Sequence, residues 1–177
     1  MVYARLLRLL PFLLGFLPLG CAQNPPANAR VASPVFQDKL EGMLRFDVPV
    51  LNVREARTAA DSVVFLDTRE PQEYAVSHLP GALLLGYDRP DYTVLDTLPK
   101  DTPLVLYCSV GYRSERMART LRKRGFTDVR NLYGSIFEWV NAGYPVVDRA
   151  GYPTDRVHTY NKKWSRWVEA GEVEKVY

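Results

Sequence analysis

The chain has 177 residues, enough for one domain with a sizeable core and short extensions. It carries 23 basic and 20 acidic residues for a formal charge of +3. Two of the basic residues, Arg5 and Arg8, sit in a segment expected to be removed, so the remainder is near neutral and offers no argument for a polyanionic partner such as nucleic acid. Two cysteines exclude a disulfide framework, and no internal repeat is visible.

Residues 1–21 run from two arginines through an apolar stretch, Leu9 to Leu19, to Gly20 and Cys21. The stretch is too short to span a bilayer comfortably and is interrupted by Pro11 and Pro18, which is the form of a secretory signal. Its ending, Leu17-Pro18-Leu19-Gly20-Cys21, resembles a bacterial lipoprotein box, with Pro18 in the place where Leu is usual. The resemblance implies lipidation of Cys21 and an exported protein anchored in a membrane, facing the periplasm or the cell exterior. Ala22 supplies no acidic inner-membrane retention signal. Residues 22–34 lack a hydrophobic period and read as a tether, which would reach on the order of 40 Å if extended. Residues 35–49 form an N-terminal extension with a helix expected over Phe36 to Leu44.

The domain itself is expected over residues 50–148. Short, nearly continuous apolar runs at Val48–Val53, Val63–Leu66, Leu104–Leu106 and Val129–Leu132 alternate with helical patterns at Pro71–Ser77, Ser114–Lys123 and Ser135–Ala142. This is the α/β pattern of a mainly parallel sheet covered by helices on both faces, a three-layer arrangement. The strand Leu104–Tyr107 runs directly onto Cys108 and then Ser109, Val110, Gly111, Tyr112, Arg113 and Ser114. A helix follows, closing at Gly125. A strand-to-helix turn aims backbone N–H groups and the positive helix end at the sulfur, so Cys108 is expected to favour the reactive thiolate. A buried structural cysteine is the bland alternative.

The loop CSVGYRS resembles the active-site loop of single-domain rhodaneses, the thiosulfate sulfurtransferase family. Upstream, Asp67-Thr68-Arg69-Glu70-Pro71-Gln72-Glu73-Tyr74 and Ser77-His78-Leu79-Pro80-Gly81-Ala82 resemble the family's first signature. Downstream, Asn131-Leu132-Tyr133-Gly134-Ser135, Ile136 to Trp139, and Gly143-Tyr144-Pro145 resemble its closing segment. Ser77 and Ser135 stand where glycine is usual, which places their backbone geometry in question. The chain is too short for two rhodanese repeats.

The resemblance implies that Cys108 attacks the outer sulfur of thiosulfate or another sulfane-sulfur donor, holds it as a persulfide, and passes it to a thiol, cyanide or protein acceptor. The N–H groups of Ser109 to Arg113 would stabilise the persulfide anion, Arg113 would attract the donor and hold the loop, and Ser114 would cap the helix. Asp67 and Arg69, beside the loop, are expected to act as scaffolding through ion pairs with residues such as Glu73. His78 is expected to be a satisfied histidine rather than a base. A rhodanese-fold interaction or sulfur-carrier module without turnover is the main rival. Phosphatase and arsenate reductase chemistry fits less well, because only four residues separate Cys108 from Arg113 and Ser114 stands where arginine would be needed. A cysteine hydrolase would need His78 or His158 as a partner. No cofactor is implied, and a single free Cys with two distant His makes a poor metal site. In the tail, 149–177, Trp164, Trp167 and Val168 share one helical face with Tyr160 a turn earlier, which predicts a helix docked on the domain.

Overall fold

The computed structural model describes residues 24–177. The segment expected to be a secretory signal, with Cys21, therefore lies outside the described residues. Five helices, α1 (Pro34–Glu41), α2 (Val53–Thr58), α3 (Pro71–Val76), α4 (Tyr112–Lys123) and α5 (Ser135–Asn141), surround strands β1 (Val50–Leu51), β2 (Val64–Asp67), β3 (Leu83–Leu84), β4 (Leu104–Tyr107) and β5 (Val129–Leu132). The strands form one all-parallel sheet in the order β1-β5-β4-β2-β3.

The two-residue period of the central strands sorts their side chains between two cores. Leu66, Leu104, Leu106 and Val129 meet Met117, Ala118 and Leu121 of α4 on one face. Phe65, Val105, Tyr107 and Leu132 meet Phe36, Leu40, Ala56, Ile136, Phe137 and Val140 on the other. Such double coverage explains why these strands read as continuous apolar runs rather than alternating ones.

Several expected boundaries move for local reasons. The run Val48–Val53 yields only two strand residues: Pro49 has no N–H to give, and Asn52 already caps α2 in a reciprocal capping box with Glu55. Residues 22–34, expected to be a tether, are docked from Asn28 onward. The Asn28 amide donates to Val50 O at 3.1 Å and to Glu55 at 3.0 Å, Ala29 is fully buried, and the Ala32 N–H donates to Glu138 at 2.8 Å.

The tail also differs from expectation. Its β7 (Pro153–Thr154) pairs with β6 (Val146–Val147) at the end of the domain, β8 (Arg156–His158) pairs with β9 (Glu174–Val176), and a single 3₁₀ turn at Ser165–Trp167 stands instead of an α-helix. Asn141 explains the short turn, because its amide donates to Trp167 O and accepts from the N–H groups of Glu169 and Ala170. Those are groups a continuing helix would have used. Trp167 still docks as expected, stacked on Phe36 with ring centroids 5.3 Å apart, and Val168 is buried beside it.

Gly134 links β5 to α5 at φ +73°, and a Cβ there would sit 2.5 Å from Glu138 Cβ and 2.8 Å from Val31 Cγ1. Gly125 has a similar φ of +92° but open space around it. Gly134→Ala should therefore lower stability by roughly 2 kcal/mol or more, against about 1 kcal/mol for Gly125→Ala. Urea melts of the two variants would measure this, and equal losses would show that the contact with Glu138 and Val31 costs nothing.

Candidate active site

Cys108 follows the last residue of β4, at the carboxyl edge where open parallel sheets present their ligand sites. The chain turns at Gly111, whose φ of +114° favours glycine; a Cβ there would meet Asn131 Nδ2 at 3.4 Å and Leu132 O at 3.6 Å, ordinary contact distances. Helix α4 begins immediately afterwards at Tyr112, two residues earlier than its apolar period predicts. Ser114 is thus a buried first-turn residue and not the cap.

The loop's carbonyls are held outward. Cys108 O and Ser109 O accept from the N–H groups of Ile136 and Phe137 in the first turn of α5, each at 3.2 Å. Gly111 O accepts from Asn131 Nδ2 at 3.0 Å, while Asn131 Oδ1 receives the Ser114 hydroxyl at 2.7 Å. The opposite side of the loop then presents N–H groups to the sulfur: Gly111 N lies 3.1 Å from Cys108 Sγ, and the Ser114 N–H also donates to it. Burial alone would push the Cys108 thiol up. The Arg113 charge and the donors of Ser114 and Gly111 outweigh it, leaving the group below the ordinary thiol value. The Ser114 hydroxyl has one proton, and at 2.7 Å it is directed to Asn131.

Arg113 is engaged by a bidentate pair with Glu73 of α3, Nη1 to Oε2 at 2.7 Å and Nη2 to Oε1 at 2.8 Å, and Nη2 also donates to Ser109 Oγ at 3.0 Å. Burial would raise Glu73, but Arg113 holds it below the usual carboxylate range. The expectation that Glu73 pairs with Asp67 or Arg69 is corrected accordingly. Those two bind each other, with no exposed side-chain surface, through Arg69 Nη2 and Asp67 Oδ2 at 2.6 Å and a further bond from Nη2 to Ser77 O. Both are fully buried, and neither lines the cleft.

His78 is satisfied structurally: it is stacked on Tyr74 with centroids 3.7 Å apart, and its Nδ1 lies 3.0 Å from Tyr74 O. His158 accepts from the Tyr160 N–H at 3.1 Å. Neither lines the cleft. Of the two serines in place of glycine, Ser77 has an extended backbone, φ −165°, which any residue adopts. Ser135 is left-handed at φ +53°, yet its hydroxyl accepts from Cys108 N at 3.2 Å and donates to Leu132 O at 3.0 Å.

Above the sulfur lies a cleft of about 320 Å³, lined by Cys108, Ser109, Val110, Tyr112 and Arg113 of the loop. Met43, Glu70, Tyr87, Asp88, Tyr160 and Trp164 complete it. These six were not singled out as site residues by sequence reasoning. Tyr160 and Trp164 had a visible signal, an aromatic cluster in the tail, but a helical period assigned both to docking.

A model of the rhodanese-like domain matches residues 52–142. The chain belongs to the rhodanese-like domain family. A probable adenylyltransferase/sulfurtransferase of Mycobacterium tuberculosis, MoeZ, is 34% identical over 133 residues, covering 70% of this chain and 34% of that protein. A sulfurtransferase of Allochromatium vinosum is 34% identical over 94 residues, covering 51% of this chain and 84% of its own length. The chain thus spans about a third of the first relative and most of the second. The solution structure of a rhodanese-like domain from Anabaena sp. superposes with a TM-score of 0.53 at 20% identity, over 56% of this chain and 79% of that one, and shows the common fold.

Two outcomes follow from this geometry. Arg113→Ala should move the pH midpoint of Cys108 alkylation upward, because the charge that favours the thiolate is gone; an unmoved midpoint would assign the low value to the N–H donors alone. Ser135→Ala, which keeps the left-handed backbone and loses both hydroxyl bonds, should cost about 1–2 kcal/mol. Ser135→Gly should cost less, since glycine relaxes φ by up to about 1 kcal/mol. Thermal melts of the pair would check the order, and a larger loss in the glycine variant would contradict it.

Proposed function

We propose that this rhodanese-family protein is a sulfurtransferase that carries sulfane sulfur on Cys108, with thiosulfate or a similar compound as donor. The observation that carries the reading is the buried Cys108 sulfur facing the N–H groups of Gly111 and Ser114, with its ionisation shifted toward the thiolate. The thiolate would attack the outer sulfur of thiosulfate, forming a Cys108 S–S bond while the donor's S–S bond breaks and sulfite leaves with the electron pair. The resulting persulfide anion needs the same donors that the thiolate uses. A thiol or cyanide then takes the outer sulfur and regenerates the thiolate.

Arg113 supports sulfur over phosphate chemistry. Encircling a tetrahedral oxyanion calls for a guanidinium free to bind it, whereas both terminal nitrogens of Arg113 are committed to Glu73.

Purified protein treated with thiosulfate should gain one sulfur atom on Cys108 by intact mass and lose it on adding cyanide, with thiocyanate released. Cys108→Ser should do neither. Turnover equal in the two proteins would overturn the assignment.

The reading extends to address. Cys21 at the end of an apolar leader is proposed to carry the lipid that anchors the protein on the outer side of the membrane. Among the described residues no helix is long and apolar enough to cross a bilayer. Acyl chains contribute about 0.8 kcal/mol per buried methylene, so the full-length protein should stay with membranes through a salt wash. Cys21→Ala should release it, and a wild-type protein without acyl mass would contradict the anchor.

A further inference from the structure

The cleft over Cys108 is larger and more apolar than a small inorganic acceptor such as cyanide requires. At about 320 Å³ it holds on the order of ten water volumes, taking about 30 Å³ for each in the liquid. Thiosulfate or cyanide would fill a fraction of it. Its walls are mainly apolar: Met43, Tyr87, Val110, Tyr112, Tyr160 and Trp164. Among the lining residues Arg113 is the only basic one, and it is paired to Glu73; Glu70 and Asp88 on the same lining oppose an anion.

Two of the aromatic walls come from the tail, outside the residues matched by the family. Both are deliberately held. Tyr160 keeps a left-handed backbone, φ +67°, which costs an aromatic residue free energy and persists only where its surroundings impose it. Its N–H donates to His158 Nδ1 at 3.1 Å, and its ring lies over the Arg113 guanidinium, 5.4 Å from centroid to carbon. Trp164 is presented by an Asn161 turn, where its N–H donates to Asn161 O at 3.1 Å and to Oδ1 at 3.2 Å. Lys39 of α1 sits 5.7 Å from its ring centroid.

We propose that Tyr160 and Trp164 form a specificity subsite for the sulfur acceptor, and that this acceptor is an organic thiol with an apolar, uncharged body. The inference rests on the sulfurtransferase reading and names the acceptor class. In the step it governs, the acceptor sulfur bonds to the outer persulfide sulfur, the Cys108 S–S bond breaks, and the thiol proton ends on the product hydropersulfide or on solvent. The acceptor's body lies against the two rings, where stacking and burial reward an apolar surface but not cyanide.

The test compares benzyl mercaptan, mercaptosuccinate and cyanide as acceptors with thiosulfate as donor. Wild-type protein should prefer benzyl mercaptan to mercaptosuccinate. Trp164→Ala and Tyr160→Ala should lower the benzyl mercaptan to cyanide ratio of kcat/KM by about tenfold or more, and Trp164→Phe should restore most of it. A merely structural role would lower both acceptors together and leave the ratio unchanged, which would overturn the proposal, as would a preference for mercaptosuccinate. A second readout needs only the thiolate: alkylation of Cys108 by N-benzyliodoacetamide relative to iodoacetamide, each normalised to free cysteine. That ratio should exceed one by about tenfold in the wild type and fall toward one in Trp164→Ala. Absence of sulfur transfer with the alkylation preference intact would reject the sulfurtransferase reading alone; a flat alkylation ratio would reject the subsite.

Discussion

The site depends on the direction in which one short loop, Cys108 to Gly111 and the helix start that follows, turns its peptide groups. A backbone segment cannot present N–H groups to a buried sulfur unless its carbonyls are satisfied elsewhere. Here the first turn of α5 and the amide of Asn131 accept that obligation, binding the carbonyls of Cys108, Ser109 and Gly111. The donors to Cys108 O and Ser109 O belong to α5, and Gly111 O is shared between Asn131 of β5 and the Glu115 N–H of α4. The arrangement therefore requires the β5–α5 turn in its observed form, with Gly134 and Ser135 both left-handed. The loop sequence alone would not hold an anion.

Two ion pairs then tie the surrounding elements to this cradle at different depths. Asp67 and Arg69 lock the end of β2 to the Ser77 backbone beneath the site, and Arg113 with Glu73 locks α3 to the first turn of α4 beside it. Buried pairs of this kind are weak contributors to net stability and strong constraints on geometry, since losing one partner strands a charge. Arg113 has a double consequence. Its pairing with Glu73 fixes the loop, and its charge still lowers the cost of ionising Cys108.

Much of this was legible in the sequence because it is local. The strand, the cysteine, the glycine turn and the following helix succeed one another within twenty residues, and continuous apolar runs named the parallel sheet. What escaped was set by contacts between distant segments. Glu73 is forty positions from Arg113, and nothing in the linear order distinguished it from Asp67 as the partner. The tail's helical period was real as a spacing, but Asn141 captures the backbone groups that would have extended it. The apparent tether contains Asn28 and Ala29, short residues whose docking depends on Val50, Glu55 and Gln37 rather than on any hydrophobic period of their own. The serines in place of glycine divided for the same reason: only the tertiary structure shows that Ser77 lies in extended backbone and that Ser135 uses a left-handed one to reach Cys108 N.

The central claim is that the N–H groups of Gly111 and Ser114 hold the anion of a sulfur-loaded Cys108. A crystal structure of protein treated with thiosulfate tests it most directly. The account predicts one additional sulfur bonded to Cys108 Sγ, lying within hydrogen-bond distance of the loop's N–H groups, with the carbonyls of Cys108 and Ser109 still bound by α5. An added sulfur pointing away from those donors, or a loop whose peptides have flipped to meet it, would contradict the account.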